Sequence, residues 1–121
     1  MNIVLGVTGS IAAYKAADIT SSLTKRGHNI DVILTENGSK IITPITLQTL
    51  SKNKVYMDMF EEITPKEVKH ISLAEKADIV LIAPATANII GKIAGGIADD
   101  FLSTVVMAAA PHTPVYIAPA M

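Results

Sequence analysis

The 121 residues contain no cysteine, which excludes disulfides, thiolate metal sites and a cysteine nucleophile within this chain and fits a reducing compartment, the cytoplasm being the expected one. Tryptophan is also absent and aromatics make up only 4%. With 17 Ile and 16 Ala, the core must be aliphatic and closely packed around small side chains, a composition suited to helices laid on a parallel sheet. Neither charge is in excess: 10 basic against 11 acidic residues leave a formal net charge of −1. A broad basic surface for nucleic acid or an anionic membrane is therefore excluded as the default. Long unbroken apolar runs are missing too. The stretch from Ile79 to Ala98 is interrupted by Pro84, Asn88, Lys92 and Gly95-Gly96, so a buried strand and helix explain it better than a membrane span. The apolar start, Met1 to Val7, lacks a basic leader and breaks at Thr8-Gly9-Ser10, as a strand would. There is no P-loop or Gly-x-Ser-x-Gly elbow, and no histidine pair has metal-ligand spacing, so no metal site is expected.

What is present is an alternation of short apolar runs and helical patterns. Ile3–Val7 reads as a strand, followed by a tight turn and a helix from Ser10 through Leu23 that ends at Arg26-Gly27. Ile30–Thr35 is a second strand, completing a βαβ unit whose strands pair in parallel. Pro44 opens a short helix through Leu50, and Val55–Phe60 is a short extended piece or loop. His70–Lys76 is helical, Asp78–Ala83 is the clearest strand, and Pro84 is expected to end it. Ala87–Ala98 reads as a helix loosened by Gly95-Gly96, Asp99-Asp100 caps a helix over Phe101–Ala110, and Val115–Ala118 is a fourth strand. This pattern predicts one α/β domain with an open parallel sheet and helices on both faces, in which ligands sit beyond the carboxyl ends of the strands.

The turn Gly6-Val7-Thr8-Gly9-Ser10-Ile11 opens a helix, where backbone N–H groups favour an anion, although its glycines do not complete the G-x-G-x-x-G dinucleotide fingerprint. Glu36 has the place of a ribose-binding acid, which keeps an NAD-binding domain as an alternative, while Thr35 and Ser39 offer hydroxyls better suited to phosphate. Pro84-Ala85-Thr86-Ala87-Asn88 combines small residues, which let a flat ring approach, with two hydrogen-bonding side chains; Thr86 also reads simply as a helix N-cap. Of three histidines, His28 and His112 fall in turns, and His70, at a helix start, is the candidate for acid/base work or for holding a substrate carboxylate. Asp99 and Asp100 are adjacent, so on a helix their carboxylates would diverge, and capping is the stronger reading.

Four segments in order, Gly9-Ser10-Ile11-Ala12-Ala13-Tyr14-Lys15, His70-Ile71-Ser72-Leu73-Ala74, Pro84-Ala85-Thr86-Ala87-Asn88 and Pro119-Ala120-Met121, resemble the homo-oligomeric flavin-containing cysteine decarboxylases. The resemblance runs end to end and includes Ile42 to Gln48. It implies an FMN enzyme of flavodoxin-like, Rossmann-like three-layer architecture. Gly9, Ser10, Ile11, Thr35 and Ser39 would take the ribityl phosphate, and Pro84, Ala85, Thr86, Ala87 and Asn88 match the family's P-A-S-A-N-T segment beside the flavin ring, with Thr86 in place of Ser and Ile89 in place of Thr. His70 matches the active-site histidine, and Asn88 the asparagine that binds the substrate carboxylate. The implied reaction, in the branch serving coenzyme A biosynthesis, is decarboxylation of 4′-phosphopantothenoylcysteine to 4′-phosphopantetheine, by flavin oxidation of the cysteine side chain to a thioaldehyde, loss of CO2, and return of the two electrons from the reduced flavin to the resulting enethiolate. Related activities are peptidyl-cysteine decarboxylation and flavin prenyl transfer, and an FMN-binding or regulatory subunit without complete activity is the alternative. The family's flap cysteine has no counterpart here, and of its P-x-M-N-x-x-M-W motif only Pro119-Ala120-Met121 is present, Met121 being a candidate substrate contact. The resemblance thus implies a single FMN-binding domain over residues 1–121 cut within that motif, and a homotrimer or a dodecamer built from trimers.

Overall fold

The computed structural model describes residues 1–57 and 69–120, with the side chains of residues 69 and 70 left aside. In chain order the elements are β1 (Asn2–Val7), α1 (Ala16–Lys25), β2 (Asn29–Leu34), α2 (Pro44–Ser51), α3 (Lys69–Lys76), β3 (Ile79–Ala85), α4 (Ala87–Gly95), α5 (Phe101–Ala109) and β4 (Val115–Pro119), with short 3-10 turns at Ile11–Lys15 and Gly38–Lys40. The strands form one parallel sheet in the order β2-β1-β3-β4. Because the chain moves from β1 outward to β2 and then returns to the other side of β1 for β3, the direction of winding reverses between β1 and β3. A crevice opens at such a switch point.

Alternation along the strands divides the core in two. Ile3, Leu5 and Val7 of β1 and Ile30, Val32 and Leu34 of β2 pack with Ala16 of α1 and Leu47 of α2. On the opposite face Val4, Ile33, Val80 and Ile82 pack with Leu73 and Ala74 of α3, Ile89 of α4 and Phe101, Leu102, Val105, Val106 and Ala109 of α5. The result is the three-layer α/β sandwich that the sequence pattern predicts. β2 lies at a sheet edge yet is buried along nearly its whole length. Its outer edge is covered by Tyr56, which accepts from Leu34 N–H at 2.8 Å and donates to Val32 C=O at 2.9 Å. The expected extended piece is thus present at Tyr56, and its continuation to Phe60 lies outside the described residues.

Three expectations change. Pro84 does not end β3, which runs through to Ala85. The β3–β4 register shifts between Ile82 and Ala85, so the missing proline N–H falls in a gap of the ladder, and pairing resumes where Ala120 N–H donates to Ala85 C=O at 3.0 Å. The first helix begins as a 3-10 turn because the Ser10 hydroxyl accepts from Ala12 N–H at 3.2 Å and closes the chain tightly before α1 starts at Ala16. Left-handed backbone at Gly27 (φ 90°) and Gly96 (φ 70°) ends α1 and α4, which makes α4 shorter than its apolar pattern.

Candidate active site

The crevice is built by loops at the carboxyl ends of β1, β2 and β3. Thr8, which is buried, ties the first to the third: its hydroxyl donates to Pro84 C=O at 2.6 Å and accepts from Thr86 N–H at 3.0 Å. Thr35 N–H donates to Val7 C=O at 3.0 Å and holds the β2 loop against β1. Gly9 lies so close to that loop that a Cβ on it would stand 2.5 Å from Asn37 Cβ and 3.0 Å from the Asn37 carbonyl carbon. Glycine is needed there for close approach of two backbones.

Above these contacts is a cleft of about 760 Å³, lined among others by Thr8, Gly9, Thr35, Glu36, Asn37, Met57, Thr86, Asn88, Lys92, Asp99, Asp100 and Phe101. Its size is in the range of small-molecule and cofactor sites, and it stands at the topological switch point. The hydroxyls are partly committed. Thr35 accepts from Gly38 N–H at 3.0 Å and Thr86, as N-cap of α4, from Ile89 N–H at 3.4 Å. Among the described residues neither donates, so each keeps a proton for a ligand oxygen. Asn88, exposed in the first turn of α4, offers both a donor and an acceptor.

Of the residues singled out from sequence, Gly9, Thr35, Thr86 and Asn88 are brought together in the cleft wall. Ser10, Ile11, Ser39, Pro84, Ala85 and Ala87 flank it without lining it: Ser10 caps the 3-10 turn, Ile11 is exposed, and Ser39 donates its hydroxyl proton to Glu36 C=O at 2.5 Å. His70 belongs to the first turn of α3. Since α3 precedes β3 by a connection of only two residues and runs back along the sheet, that turn lies toward the carboxyl ends of the strands, the end that carries the cleft. Met121 lies outside the described residues.

Sequence reasoning missed Met57, Phe101 and above all Lys92 as parts of the wall. The capping reading of Asp99 and Asp100 leaves their contact with Lys92 unforeseen. They precede α5 rather than lying on it, so the backbone turns both toward Lys92 Nζ, at 2.9 Å and 3.3 Å. Asp100 does cap α5 in a capping box: its carboxylate accepts from Ser103 N–H at 2.7 Å, and its own N–H donates to the Ser103 hydroxyl oxygen at 3.2 Å. Burial pushes the Asp100 carboxyl up, but hydrogen bonds from Ser103 and the charge of Lys92 together outweigh it and hold it below the ordinary carboxylate value. Lys92 is raised, its hydrogen bond to Asp99 prevailing over desolvation. The phenyl ring of Phe101, beneath the cleft, stacks on Tyr56 with centroids 5.5 Å apart.

A doubly wound parallel sheet with a polar cleft at its switch point is the architecture of nucleotide-type ligand-binding α/β domains. The chain belongs to the Flavoprotein family, whose match extends over residues 1–121. It is 50% identical over 120 residues to the coenzyme A biosynthesis bifunctional protein CoaBC of Bacillus subtilis, covering 99% of this chain and 29% of that protein. It is 46% identical to a Streptococcus mutans protein named "Probable phosphopantothenoylcysteine decarboxylase", covering 98% of this chain and 66% of the relative. Among solved structures, the FMN-dependent cysteine decarboxylase SpaF superposes with a TM-score of 0.90 at 30% identity, over 100% of this chain and 69% of its own. A PPC decarboxylase mutant complexed with pantothenoylaminoethenethiol gives 0.83 at 28% identity, over 99% and 66%. The fold is flavodoxin-like, in agreement with these neighbours. No helix among the described residues is long and apolar enough to cross a membrane.

Proposed function

We propose that the cleft binds FMN and that the chain serves an FMN-dependent carboxy-lyase converting 4′-phosphopantothenoylcysteine to 4′-phosphopantetheine in coenzyme A biosynthesis, in the cytoplasm. The observation that carries this reading is the convergence of Gly9, Thr35, Thr86 and Asn88, drawn from three separate loops, on one switch-point cleft. Family membership and the names of the relatives support it.

The residues fit the cofactor. Gly9 and Ile11 present backbone N–H groups at the opening of a helical segment, with the Thr35 hydroxyl nearby, a donor set for a phosphate, while the Ser10 N–H is committed to Thr8 C=O and the Ser39 hydroxyl to Glu36 C=O. Pro84, Ala85, Thr86 and Ala87 supply small, closely tied backbone for a flat ring. FMN, when bound, would accept two electrons from the cysteinyl side chain, since direct loss of CO2 would leave an unstabilised carbanion, and would return them after CO2 has left, so that the net reaction is redox-neutral. On the protein side, Asn88 orients the substrate carboxylate through its amide, His70 holds or moves a proton at the reacting cysteine, and Met121 contacts substrate. The assembly proposed is a homotrimer or a dodecamer of trimers, and exposed Ile11 and Tyr14 beside the β1 loop are apolar surface suited to a neighbouring copy.

The test is direct. Purified protein titrated with FMN should show a flavin absorbance band and saturable binding, and should release CO2 from 4′-phosphopantothenoylcysteine. Binding without turnover would leave the binding-subunit alternative, and no binding would end the flavin reading. His70→Asn should lower turnover by roughly 10²–10⁴-fold while FMN affinity stays within twofold of the parent.

A further inference from the structure

We propose that Lys92 is the charge-compensating and positioning residue of the cofactor cleft: clasped by Asp99 and Asp100, its ammonium cancels the carboxylates that the α4–α5 connection would otherwise turn on an anionic ligand. The inference rests on the reading that the cleft takes FMN. Among the described residues lining the cleft, Lys92 is the one cation, set against the carboxylates of Glu36, Asp99 and Asp100. It follows Asn88 by one helical turn on α4, and both side chains reach the same cleft. Its side chain is only 19% exposed, whereas that of Asp99 is 60% exposed. The ammonium is therefore the fixed member and Asp99 the solvated one.

Asp100 makes the clasp rigid. One of its oxygens is committed to the α5 cap through Ser103, and the other stands 3.3 Å from Lys92 Nζ. Lys92 thus joins α4, which carries Asn88, to the first turn of α5, which carries Phe101 beneath the cleft. Without the ammonium, two carboxylates aimed at one point would repel each other and any phosphate-bearing ligand. This charge role differs from a packing role in what should repair its loss. A packing defect is repaired by volume, a charge defect by removing a carboxylate.

The experiment compares FMN dissociation constants and thermal midpoints of the parent, Lys92→Met, Lys92→Arg, Asp99→Asn and the Lys92→Met/Asp99→Asn double variant. Methionine keeps most of the stem volume, so Lys92→Met should weaken FMN binding on the order of tenfold, a loss that shrinks as salt is raised. Arginine should retain binding, and the double variant should regain most of it. Asp99→Asn alone should tighten binding several-fold with an unchanged thermal midpoint, which keeps the proposal open to refutation if Lys92→Met fails to fold. Parent-like binding by Lys92→Met, no rescue in the double variant, or unchanged or weaker binding by Asp99→Asn would each overturn the proposal while leaving the flavin reading intact. Failure of the parent itself to bind FMN would overturn both.

Discussion

Gly9→Ala tests the close approach on which the cleft depends. The added methyl carbon would stand 2.5 Å from Asn37 Cβ and 3.0 Å from the Asn37 carbonyl carbon, where ordinary contact begins near 3.4 Å. The obstacle is backbone and Cβ rather than the tip of a flexible chain, so one loop must move by about 1 Å to relieve it. That movement is opposed. The β2 loop is held by the Thr35 N–H bond to Val7 C=O at 3.0 Å, and Gly38 is itself packed so that its Cβ position lies 2.8 Å from the same oxygen. Overpacking of this kind costs about 2 kcal/mol, which lowers the melting temperature by roughly 8 °C for a chain of this size. Because both displaced loops line the cleft, FMN affinity should fall at least tenfold in the same protein. Differential scanning calorimetry and fluorescence titration measure the two effects. A Gly9→Ala protein with the parent's melting temperature and FMN affinity would refute the argument that backbone contact shapes this wall.

Gly91→Ala is the counterpart: nothing lies within 4 Å of its Cβ position on α4, so the substitution should stabilise by about 0.5–1 kcal/mol, read as a higher urea midpoint. Thr8→Val removes a buried hydroxyl that serves both Pro84 C=O and Thr86 N–H, and should cost about 1–3 kcal/mol in chemical denaturation. Asp100→Ala removes the α5 cap and should cost about 1 kcal/mol near neutral pH. The folded-state pKa of Asp100 lies below its ordinary 3.8, so its stabilisation is full above that value and is lost as pH falls through the lowered one. The stability difference between parent and Asp100→Ala should therefore narrow in acid melts, and a gap that widened would contradict the assigned direction.

The strands were legible because each is a short β-branched run bounded by turn residues, and the caps at Thr86 and Asp100 because a hydroxyl or carboxylate precedes an apolar helix. Gly9, Thr35, Thr86 and Asn88 were legible as a site for a topological reason: parallel strands bring their carboxyl-end loops together. The tie that the Thr8 hydroxyl makes was not, since its partners lie 76 and 78 residues away and no local pattern announces them. Pro84 misled because the rule that proline breaks a ladder holds only where its N–H is wanted, and the register shift removes that demand. The convergence of Asp99 and Asp100 on Lys92 escaped because the capping reading accounts for the carboxylates locally, whereas Lys92 lies on the preceding helix, seven and eight residues earlier.

The charges of the cleft wall bear on how a ligand would lie in it. With one ammonium against three carboxylates, the described lining has no surplus of cations for a phosphate to pair with. An anion is therefore better met at the β1 end, where the Gly9–Ile11 backbone opens a helical segment and the Thr35 hydroxyl keeps its proton. At the other end Lys92 is already occupied by Asp99 and Asp100. Asn88, in the first turn of α4, lines the same cleft, where an amide offers a donor and an acceptor without adding charge to a wall already rich in carboxylates.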